Sequence, residues 1–508
     1  MTLDAGEPGY GSMAARTALS GSVVDAETAP LLIPEDPQEY DQWQPMTKEE
    51  LEVAAGSAGW KKLRTRLVVV FWLAWLAMLC TSVAIIVKSP RPIAAPLRWW
   101  QKSLFYQLQP VLFVDPQAEE QGGISGVCDH ISYFKSLGVG ALILEGLFLK
   151  GMSPSDIKVI NESIGTVPQI QHLLAESNKA GLKVVFDFCE LDLFATQESP
   201  GNDTEPYSIV QYALRFWLEQ GVAGFAICDT DAAYSEKTLL EWRVVIKEFS
   251  SQGEERIVLV KQMGDFLPSL GNSSSNDTLV EVVMKTILPP THHHLSAQEV
   301  ALAIETRLQM TKDDLWPSWA VGGKASFGLQ NLLMVLMMTL PGSPAVQYGE
   351  EISHAQNKSL NSGWLHEGEQ LVEMQKPHVG KMKSEHSPLA LFTSLSNSRA
   401  REEALLYGSF TFLPFNTTSL SSSNSTLSSP PLFLAFLRSW GCVHFLVLLN
   451  IGPESHALDP AWAHTLPNVG VFVTSTRLNR VGSTSLDTVK LQPREAIVIK
   501  LFEAGSYS

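Results

Sequence analysis

A continuous apolar run from Leu67 to Val87, LVVVFWLAWLAMLCTSVAIIV, is the most pronounced pattern in the chain. It holds 21 residues without a charge, and a helix rising about 1.5 Å per residue crosses the ~30 Å hydrocarbon layer of a bilayer over that length. A core helix of a soluble protein is rarely apolar on every face, and a cleaved signal peptide is shorter and closer to the N-terminus. The pattern therefore predicts one transmembrane helix.

The flanks of this run set the expected orientation. Four basic residues precede it closely: Lys61, Lys62, Arg64 and Arg66. Fewer follow it, so the positive-inside rule places residues 1–66 in the cytosol and the remainder outside the cell. Residues 1–40 have no apolar period and are typical of a disordered chain. Thr47 and Glu50 form a capping-box pattern, which predicts a short juxtamembrane helix within residues 46–57.

From about residue 100 to residue 395, short β-rich apolar runs alternate with amphipathic helical stretches. The candidate strands are LFYQLQPVLF, VGALILE, LKVVFDF, VAGFAIC, RIVLVKQ and LVEVVM, and the helical stretches include ISYFKSL, IQHLLAESNKA and IVQYALRFWLEQ. Such alternation predicts a parallel sheet with crossover helices, and about 300 residues of it favour a (β/α)8 TIM barrel. A doubly wound sheet is the competing fold, but no Gly-rich nucleotide-binding turn follows the first strand. Trp99 and Trp100 either anchor at the membrane interface or begin this domain.

The rhythm changes after about residue 396. Runs such as ALLYGSFTFL, PLFLAFLRSW, VHFLVLLNI and REAIVIKLF are separated by turn residues without long helices, which predicts a C-terminal antiparallel β domain. The expected fold class is α/β, with a single transmembrane helix before the barrel. The predicted organisation is a cytosolic tail at 1–66, a transmembrane helix at 67–87, a stalk at 88–99, the barrel at 100–395 and the β domain at 396–508.

The composition narrows the classes of function. Of the 508 residues, 45% are hydrophobic and 18% are charged, as in a chain that buries a core, and the net charge of −16 argues against a nucleic-acid partner. The five cysteines form no CxxC pair, and neither a phosphate-binding loop nor an H-E-x-x-H zinc motif occurs. The run His292–His294 adjoins two prolines without nearby carboxylates or thiols, so we expect no metal and no cofactor.

Seven N-x-[ST] sequons follow the apolar run, at Asn161, Asn202, Asn272, Asn276, Asn357, Asn416 and Asn424. Two pairs lie in the Ser-rich stretches GNSSSNDT and NTTSLSSSNST, which suit exposed loops rather than a core. Their distribution agrees with an extracellular position for the chain after the membrane helix. The sequence therefore predicts a glycoprotein.

Four blocks within residues 100–395 are similar to the α-amylase-type glycoside hydrolase family, in the order in which that family has them. The blocks are Tyr106-Gln107-Leu108-Gln109-Pro110, Gly181 to Asp187, Gly221 to Phe225, and Leu340 to Pro344 with Tyr348 to Ile352. The resemblance implies that the barrel is glycosidase-like.

A narrower resemblance covers nearly everything from residue 46 onward. The stretches that carry it are Thr47 to Leu51, Gly59-Trp60, the basic cluster, Phe71-Trp72-Leu73 and Lys88-Ser89-Pro90-Arg91. They look like the heavy-chain subunit of heteromeric amino-acid transporters, of the cell-surface-antigen type. This resemblance implies a type II, signal-anchored plasma-membrane glycoprotein that pairs with a multi-span light chain, acts as its chaperone and brings it to the cell surface. Heavy chains of this family also associate with integrin β subunits, so an adhesion scaffold is the alternative function.

The α-amylase resemblance also locates the positions where a glycosidase has its nucleophile and its general acid, two carboxyl groups about 5–5.5 Å apart in retaining enzymes. In the family's fourth-strand motif, Gly-Phe-Arg-x-Asp, the Asp is the nucleophile and the Arg supports it. Here Ala226 stands in place of the Arg and Cys228 in place of the Asp. Asp229 comes one residue late, which places it on the opposite face of a regular strand.

The general acid is missing as well. The end of the fifth strand reads Val260 to Gly264, with Gln262 where a Glu is expected, and the third strand keeps only Asp187. Loss of both carboxylates removes more than the ~10²–10⁴-fold that acid–base catalysis alone supplies, so we expect no catalytic residue and no enzyme activity. An extracellular α-glucosidase is therefore the least supported of the three functions.

Cysteine positions bear on covalent links. The family's heavy chains carry a cysteine shortly after the membrane helix that bonds to the light chain, but here Pro92 occupies its place and no cysteine occurs from Thr81 to Val127. We therefore expect no interchain disulfide and a non-covalent partnership with the light chain in the lipid bilayer. Cys189 and Cys228 follow adjacent predicted strands at one barrel end, where a bridge between them is one of the pairings that the sequence leaves open.

Overall fold

The computed structural model describes most of the chain between residues 46 and 503. The described residues are 46–88, 94–113, 122–149, 157–189, 191, 193, 206–264, 267–268, 270, 278–288, 297–310, 315–322, 327–352, 388–413, 433–458 and 465–503. The chain divides into two compact units, Met1–Ser89 and Pro90–Ser508. The apolar helix and the strand-rich part of the chain thus belong to separate units.

The first unit contains two described helices, α1 (Lys48–Gly56) and α2 (Ala58–Lys88). The Glu50 carboxylate accepts the Thr47 N–H at 3.1 Å, so half of the predicted capping box is present at the start of α1. Among the described helices, α2 is the one long and apolar enough to cross a membrane, and its most apolar window has a mean hydropathy of 2.3 and is exposed throughout. The predicted span, residues 67–87, lies within α2.

Eight parallel strands of the second unit close into a barrel in sequence order. They are β1 Phe105–Leu108, β2 Ala141–Leu144, β3 Lys183–Asp187, β4 Gly224–Cys228, β5 Ile257–Gln262, β6 Val282–Thr286, β7 Trp316–Ala320 and β8 Ser343–Gln347. The first six overlap the six candidate strands of the sequence. Because β8 pairs with β1, the sheet is a closed TIM barrel rather than a doubly wound sheet, and the predicted fold class is confirmed.

Helices follow most of the strands. They are α3 Trp99–Lys102, α4 Ile124–Asp129, α5 Ile131–Ser136, α6 Val167–Ala180, α7 Pro206–Glu219, α8 Glu236–Glu248, α9 Ala297–Met310 and α10 Phe327–Thr339, with 3-10 turns at Pro110–Phe113 and Glu350–Ile352. The ends of α6 show how the local sequence sets the limits of a helix. Thr166 and Gln169 form a capping box at its start, and Gly181, at φ 79°, ends it in the left-handed conformation that glycine adopts without strain.

Strand side chains alternate between the barrel interior and the helix layer. Inward-facing residues such as Val185 and Leu259 form one buried cluster, and the residues between them pack against the helices in a larger cluster. Trp100 of α3 is buried in the interior cluster, and its carbonyl accepts the hydroxyl of Ser343 at the start of β8 at 2.7 Å. Trp99 is hydrogen-bonded within the same unit. Both tryptophans therefore begin the folded domain.

An antiparallel sheet of six strands follows the barrel, in the order β14-β13-β16-β11-β10-β9. Its strands are β9 Ser409–Phe412, β10 Phe433–Trp440, β11 Val443–Asn450, β13 Val469–Ser475, β14 Ser483–Ser485 and β16 Ala496–Phe502, and a small separate ladder pairs β12 His456–Ala457 with β15 Lys490–Leu491. The predicted antiparallel C-terminal domain is confirmed. Both faces of the sheet are apolar, because one packs in the large cluster with the barrel helices and the other forms a cluster of its own.

The candidate strand ALLYGSFTFL differs from the structure in its first half. A short helix, α12 Glu403–Leu406, precedes β9, and Ala404 and Leu405 are buried where this helix packs against the sheet. An alternating apolar pattern does not separate one buried helical turn from a strand, so the sequence run was interpreted as extended throughout. The preceding helix, α11 Pro388–Arg401, includes residue 395, the predicted end of the barrel domain.

Two buried arginines join the sheet to the end of α10. Arg438 on β10 donates to the Thr339 carbonyl at 2.9 Å and to two carbonyls near β9. Arg399 on α11 donates to the Met338 carbonyl at 2.9 Å and to two carbonyls of the turn that leads to β8. The last carbonyls of a helix lack intrahelical partners and favour cations, so both arginines act as caps of α10. Burial lowers the pKa of Arg438 to about 9, and the neighbouring Arg399 adds to this effect.

Candidate functional site

The carboxyl-terminal end of the barrel is where TIM-barrel proteins carry their chemistry. On β4, Ala226 and Cys228 have the parity of the inward-facing positions, because Phe225 and Ile227 between them pack in the helix-layer cluster. Ala226 is fully buried in the interior cluster. The structure therefore places a methyl group where the glycosidase motif has an Arg, and this methyl group has no charge with which to support a neighbouring carboxylate.

Cys228 is bonded to Cys189, so the structure contains the bridge that the sequence left open. The two Cα atoms are 4.8 Å apart, and the disulfide ties the end of β4 to the residues that follow β3. A disulfide sulfur offers no thiolate, so Cys228 has no nucleophile in this state.

One group of potential metal-binding atoms contains the same two sulfur atoms. The sulfurs of Cys189 and Cys228 and the Asp231 carboxylate lie within 4.8 Å of one another. Metal binding by cysteine needs thiolates, and the Asp231 carboxylate already accepts the Cys228 N–H at 2.7 Å. The bridged cysteines therefore do not fit a metal ion.

Asp229 follows the last residue of β4 and serves the neighbouring backbone. Its side chain is 7% exposed, and its carboxylate accepts the N–H of Met263 at 2.9 Å and that of Gly264 at 3.5 Å. Its own N–H donates to the Lys261 carbonyl at 3.1 Å. These hydrogen bonds, which Asp229 accepts through its side chain and donates through its backbone, hold the turn after β5 against the end of β4.

Lys261 on β5 is the site residue that the sequence reasoning missed. It alternates with Ile257 and Leu259, which belong to the interior cluster, so it enters the barrel from the fifth strand. Its ammonium nitrogen lies 2.6 Å from Glu145 Oε1 and 2.8 Å from Asp187 Oδ2. We call Glu145, Asp187 and Lys261 the ion triad. Strand parity was the available signal, since it places residue 261 and not residue 262 inside.

Gln262 lies on the other face of the same strand. It alternates with Val258 and Val260, which pack against the helices, and its side-chain amide donates to the Gly264 carbonyl at 2.9 Å. The position examined for a general acid is therefore not the inward-facing one. The inward-facing position holds a cation, which has no carboxyl group to donate a proton.

The two carboxylates of the ion triad stabilise the charged form of its buried lysine. The side chains of Lys261, Glu145 and Asp187 are 14%, 17% and 10% exposed. Burial by itself lowers the pKa of Lys261, but the carboxylates of Asp187 and Glu145 outweigh it and raise that pKa above its usual value. Burial raises the pKa of Asp187, and Lys261 opposes this in part. A lysine with a raised pKa stays protonated, so it is neither a base nor a nucleophile.

Only one of the seven sequons lies among the described residues. Asn161 is half-buried, and its side-chain carbonyl accepts the Ser163 hydroxyl at 2.8 Å and the Ser163 N–H at 3.1 Å. Pro92, the run His292–His294 and the other six sequons, at Asn202, Asn272, Asn276, Asn357, Asn416 and Asn424, lie outside the described residues.

Comparisons with known sequences agree with the two-part organisation. A family model described as the solute carrier family 3 member 2 N-terminus matches residues 33–106, and one described as the alpha amylase catalytic domain matches residues 107–190. The chain is 30% identical over 504 residues to the amino acid transporter heavy chain SLC3A2 of Oryctolagus cuniculus, covering 89% of this chain and 87% of that protein. It is 21% identical over 424 residues to the amino acid transporter heavy chain SLC3A1 of Homo sapiens, covering 60% and 61% of the two chains.

Comparisons with solved structures return carbohydrate-converting enzymes. The trehalulose synthase MutB from Pseudomonas mesoacidophila superposes with a TM-score of 0.59 at 14% sequence identity, covering 80% of this chain and 100% of that one. The isomaltulose synthase from Erwinia rhapontici gives a TM-score of 0.57 at 14% identity, with the same coverage. At such identities the likeness concerns the fold alone.

Proposed function

The chain belongs to the family of amino acid transporter heavy chains, and from that premise we propose that it is a non-catalytic subunit of a heteromeric amino-acid transporter. In this role it pairs with a multi-span light chain, supports the stability of that light chain and brings it to the plasma membrane. The observation that carries the proposal is the relationship over 89% of the chain to a protein named as such a heavy chain. The exposed apolar helix α2 supports a partnership within the bilayer.

The proposed topology is that of a type II membrane protein, with the N-terminus in the cytosol and the barrel outside. The basic residues before the apolar run support this orientation. Asn161 provides a test, because oligosaccharide is added only on the lumenal side of the secretory pathway. We expect Asn161→Gln to lose the mass of one glycan in a denaturing gel, and enzymatic deglycosylation to remove the difference from wild type. An unglycosylated wild-type chain at the cell surface would contradict the topology.

The absence of glycosidase activity is the second part of the proposal. Three features at the barrel mouth support it. Cys228 forms a disulfide, and the Asp229 carboxylate accepts a backbone N–H group. The position on β5 that faces the barrel interior holds a lysine, which pairs with Asp187. The purified full-length protein is expected to turn over neither maltose nor a chromogenic α-glucoside. Hydrolysis that is abolished by Asp229→Asn would overturn this part and leave the family assignment intact.

The partnership is tested by co-expression with candidate light chains, followed by purification through a tag on the heavy chain. In a mild detergent we expect a light chain to co-purify and to migrate with the heavy chain on a native gel. In SDS without reductant the two chains should separate, since Pro92 stands where the family has its linking cysteine. A band at the summed mass under those conditions contradicts non-covalent pairing. Failure of every light chain to co-purify contradicts the subunit role and favours the scaffold alternative.

A further inference from the structure

A cavity of about 170 Å³ opens at the amino-terminal end of the barrel, opposite the ion triad. It lies between α6 and the first residues of β3, with the turn before β4 and the residues before β5 completing its wall. Its apolar part comes from residues such as Leu174. Its polar part contains the amide side chains of Gln171 and Gln220 and two cationic side chains, Lys183 and Arg256. This volume holds several water molecules, each of which takes about 30 Å³ in the liquid.

The two cations of this cavity are weakly neutralised. Lys183 approaches one carboxylate, that of Glu254, at 3.8 Å, and the Glu254 side chain is 58% exposed, so water screens this pair. The Nε atom of Arg256 is buried and has no hydrogen-bond partner within the described part of the chain. Burial lowers the pKa of Arg256, and Glu254 opposes this only in part. The cavity therefore has more positive than negative charge in a chain whose net charge is −16.

Two other described arginines also have an Nε atom without a partner, but their terminal nitrogens form hydrogen bonds that Arg256 lacks. Arg243 forms two hydrogen bonds to the Glu281 carboxylate, and Arg399 donates to three backbone carbonyls. Their terminal nitrogens are thus well satisfied. For Arg256 the structure contains neither a carboxylate at hydrogen-bond distance nor a comparable set of carbonyls among the described residues.

Helix ends offer a different explanation for the cations, because α6 and α7 both end at this cavity and helix C-termini attract positive charge. One carbonyl near each of these ends is nevertheless already hydrogen-bonded within the chain. The Asn178 carbonyl accepts the Gly181 N–H at 3.0 Å, and the Leu218 carbonyl accepts the Gly221 N–H at 3.0 Å. These two carbonyls therefore do not supply a hydrogen-bond acceptor to the Arg256 guanidinium, and no hydrogen bond from it to any described carbonyl is present.

We propose that this cavity is a binding site for a small oxyanion of the phosphate or sulfate class, held by the Arg256 guanidinium and the Lys183 ammonium. A guanidinium presents paired N–H donors that match two oxygens of a tetrahedral anion, and an ammonium adds a third charge-assisted hydrogen bond. The amides of Gln171 and Gln220 add polar surface to the same wall. None of the residues that line this cavity belongs to the ion triad at the other end of the barrel.

The test is thermal unfolding of the full-length protein in a neutral detergent, over a series of inorganic phosphate concentrations with chloride keeping the ionic strength constant. A ligand that binds the folded state raises Tm in a concentration-dependent manner. We expect a saturable rise for wild type, its loss in Arg256→Gln and a weaker response in Lys183→Gln. Lys179→Gln is the matched control, since this lysine is 72% exposed and pairs with Glu176 on the surface of α6. It should keep the wild-type response.

A further variant, Glu254→Gln, tests the proposal even if Arg256→Gln fails to fold. Glu254→Gln removes the one carboxylate near Lys183 and leaves an exposed position, so folding should be unaffected. We expect its half-saturating phosphate concentration to fall by roughly two- to fivefold, the range that an exposed charge produces. A wild type without a saturable shift would overturn the proposal. An Arg256→Gln protein with the wild-type response, or a Glu254→Gln protein with unchanged affinity, would do the same.

Discussion

Lys261 lies between two carboxylates at a position where all three side chains are mostly buried. Taking a charge out of water is costly unless an opposite charge and hydrogen bonds replace the water. At the mouth of this barrel the lysine supplies that compensation to Glu145 and Asp187. Asp229 is compensated differently, by two backbone N–H groups of the turn after β5. Each of these three carboxylates thus has a partner among the described residues.

Replacement of Lys261 by Met is expected to lower the free energy of unfolding by about 3–5 kcal/mol, because it leaves Glu145 and Asp187 buried without their cation. Lys179→Met provides the control, since it removes an equal charge from an exposed pair that water screens, and its effect on stability should be much smaller. Urea unfolding of the two full-length variants in detergent measures both values. If the free energy of unfolding falls equally in the two variants, the ion triad stabilises the fold no more than an exposed ion pair does.

The same variant predicts a pH dependence. Burial already raises the pKa of Asp187, and Lys261 is the group that opposes this rise. Without the lysine the folded-state pKa rises further above its unfolded value, so protonation favours the folded state as the pH falls. The stability deficit of Lys261→Met relative to wild type should therefore be smaller at pH 5 than at pH 8. A deficit that grows on acidification would contradict this assignment of charges.

At this scale the sequence predicted some positions and missed others. The Cys189–Cys228 bridge was open to inference, because parallel strands in sequence order bring their ends together. Lys261 was missed because the fifth strand was searched for a carboxylate, and a lysine has no role in the glycosidase motif. Its partners lie elsewhere in the chain, Glu145 directly after β2 and Asp187 at the end of β3. Contacts between distant residues of this kind become apparent only when the register of the barrel is known.

Helix α10 ends against two side chains from outside the barrel. Arg438 comes from β10 and Arg399 from α11, and both donate to carbonyls at or just after the last turn of α10. Neither has a carboxylate partner among these hydrogen bonds, so backbone carbonyls and the negative end of the helix offset the buried charges. This contact joins helix α10 of the barrel to the C-terminal sheet.

Arg438→Met is expected to lower the free energy of unfolding by about 3 kcal/mol or more, because three buried carbonyls lose a charged donor at once. Arg401→Met, an exposed position at the end of α11, should change stability by less than about 0.5 kcal/mol. Thermal unfolding of the two variants tests the comparison. A loss in Arg438→Met no larger than that in Arg401→Met would exclude a capping role.

The disulfide is the other link between elements. Its cysteines are 39 residues apart, and closing a loop of that length in the unfolded chain corresponds to about 2–4 kcal/mol. The double variant Cys189→Ser with Cys228→Ser should lose stability by that amount under oxidising conditions. Addition of reductant should bring wild type down to the stability of the variant. If the measured stability of wild type is the same with and without reductant, the bridge contributes little to it.

Among the elements, strands within largely apolar runs were the easiest to predict. The six candidate barrel strands are short runs of this kind bounded by turns, and each overlaps a strand of the structure. The short helix Glu403–Leu406 was not predicted, since its single turn is stabilised by burial against the sheet rather than by a periodic pattern. Strands β7, β8 and β12 to β15 were not among the predicted runs. Proline and serine interrupt the apolar pattern of β7 and β8, and β13 is only partly buried and contains Val469 and Val471 at exposed positions.

For the whole molecule, an apolar helix and a barrel-and-sheet unit form one chain. The alternation of strands and helices was sufficient to predict the TIM barrel, and the length of the apolar run was sufficient to predict the membrane helix. The proposed role in transport rests on the relationship to named heavy chains. The side chains at the barrel mouth support a narrower part of the proposal, which is that the protein has no glycosidase activity.

The central claim is that this chain serves a transporter light chain. It is tested most directly by measuring light chain at the cell surface, together with uptake of radiolabelled amino acids, in cells that express the light chain alone or with this protein. Both the amount of light chain at the surface and the uptake should rise when the heavy chain is present. The Asp229→Asn variant, expressed to the same level, should give the same increase as wild type. Unchanged surface light chain and unchanged uptake with every candidate light chain would contradict the account.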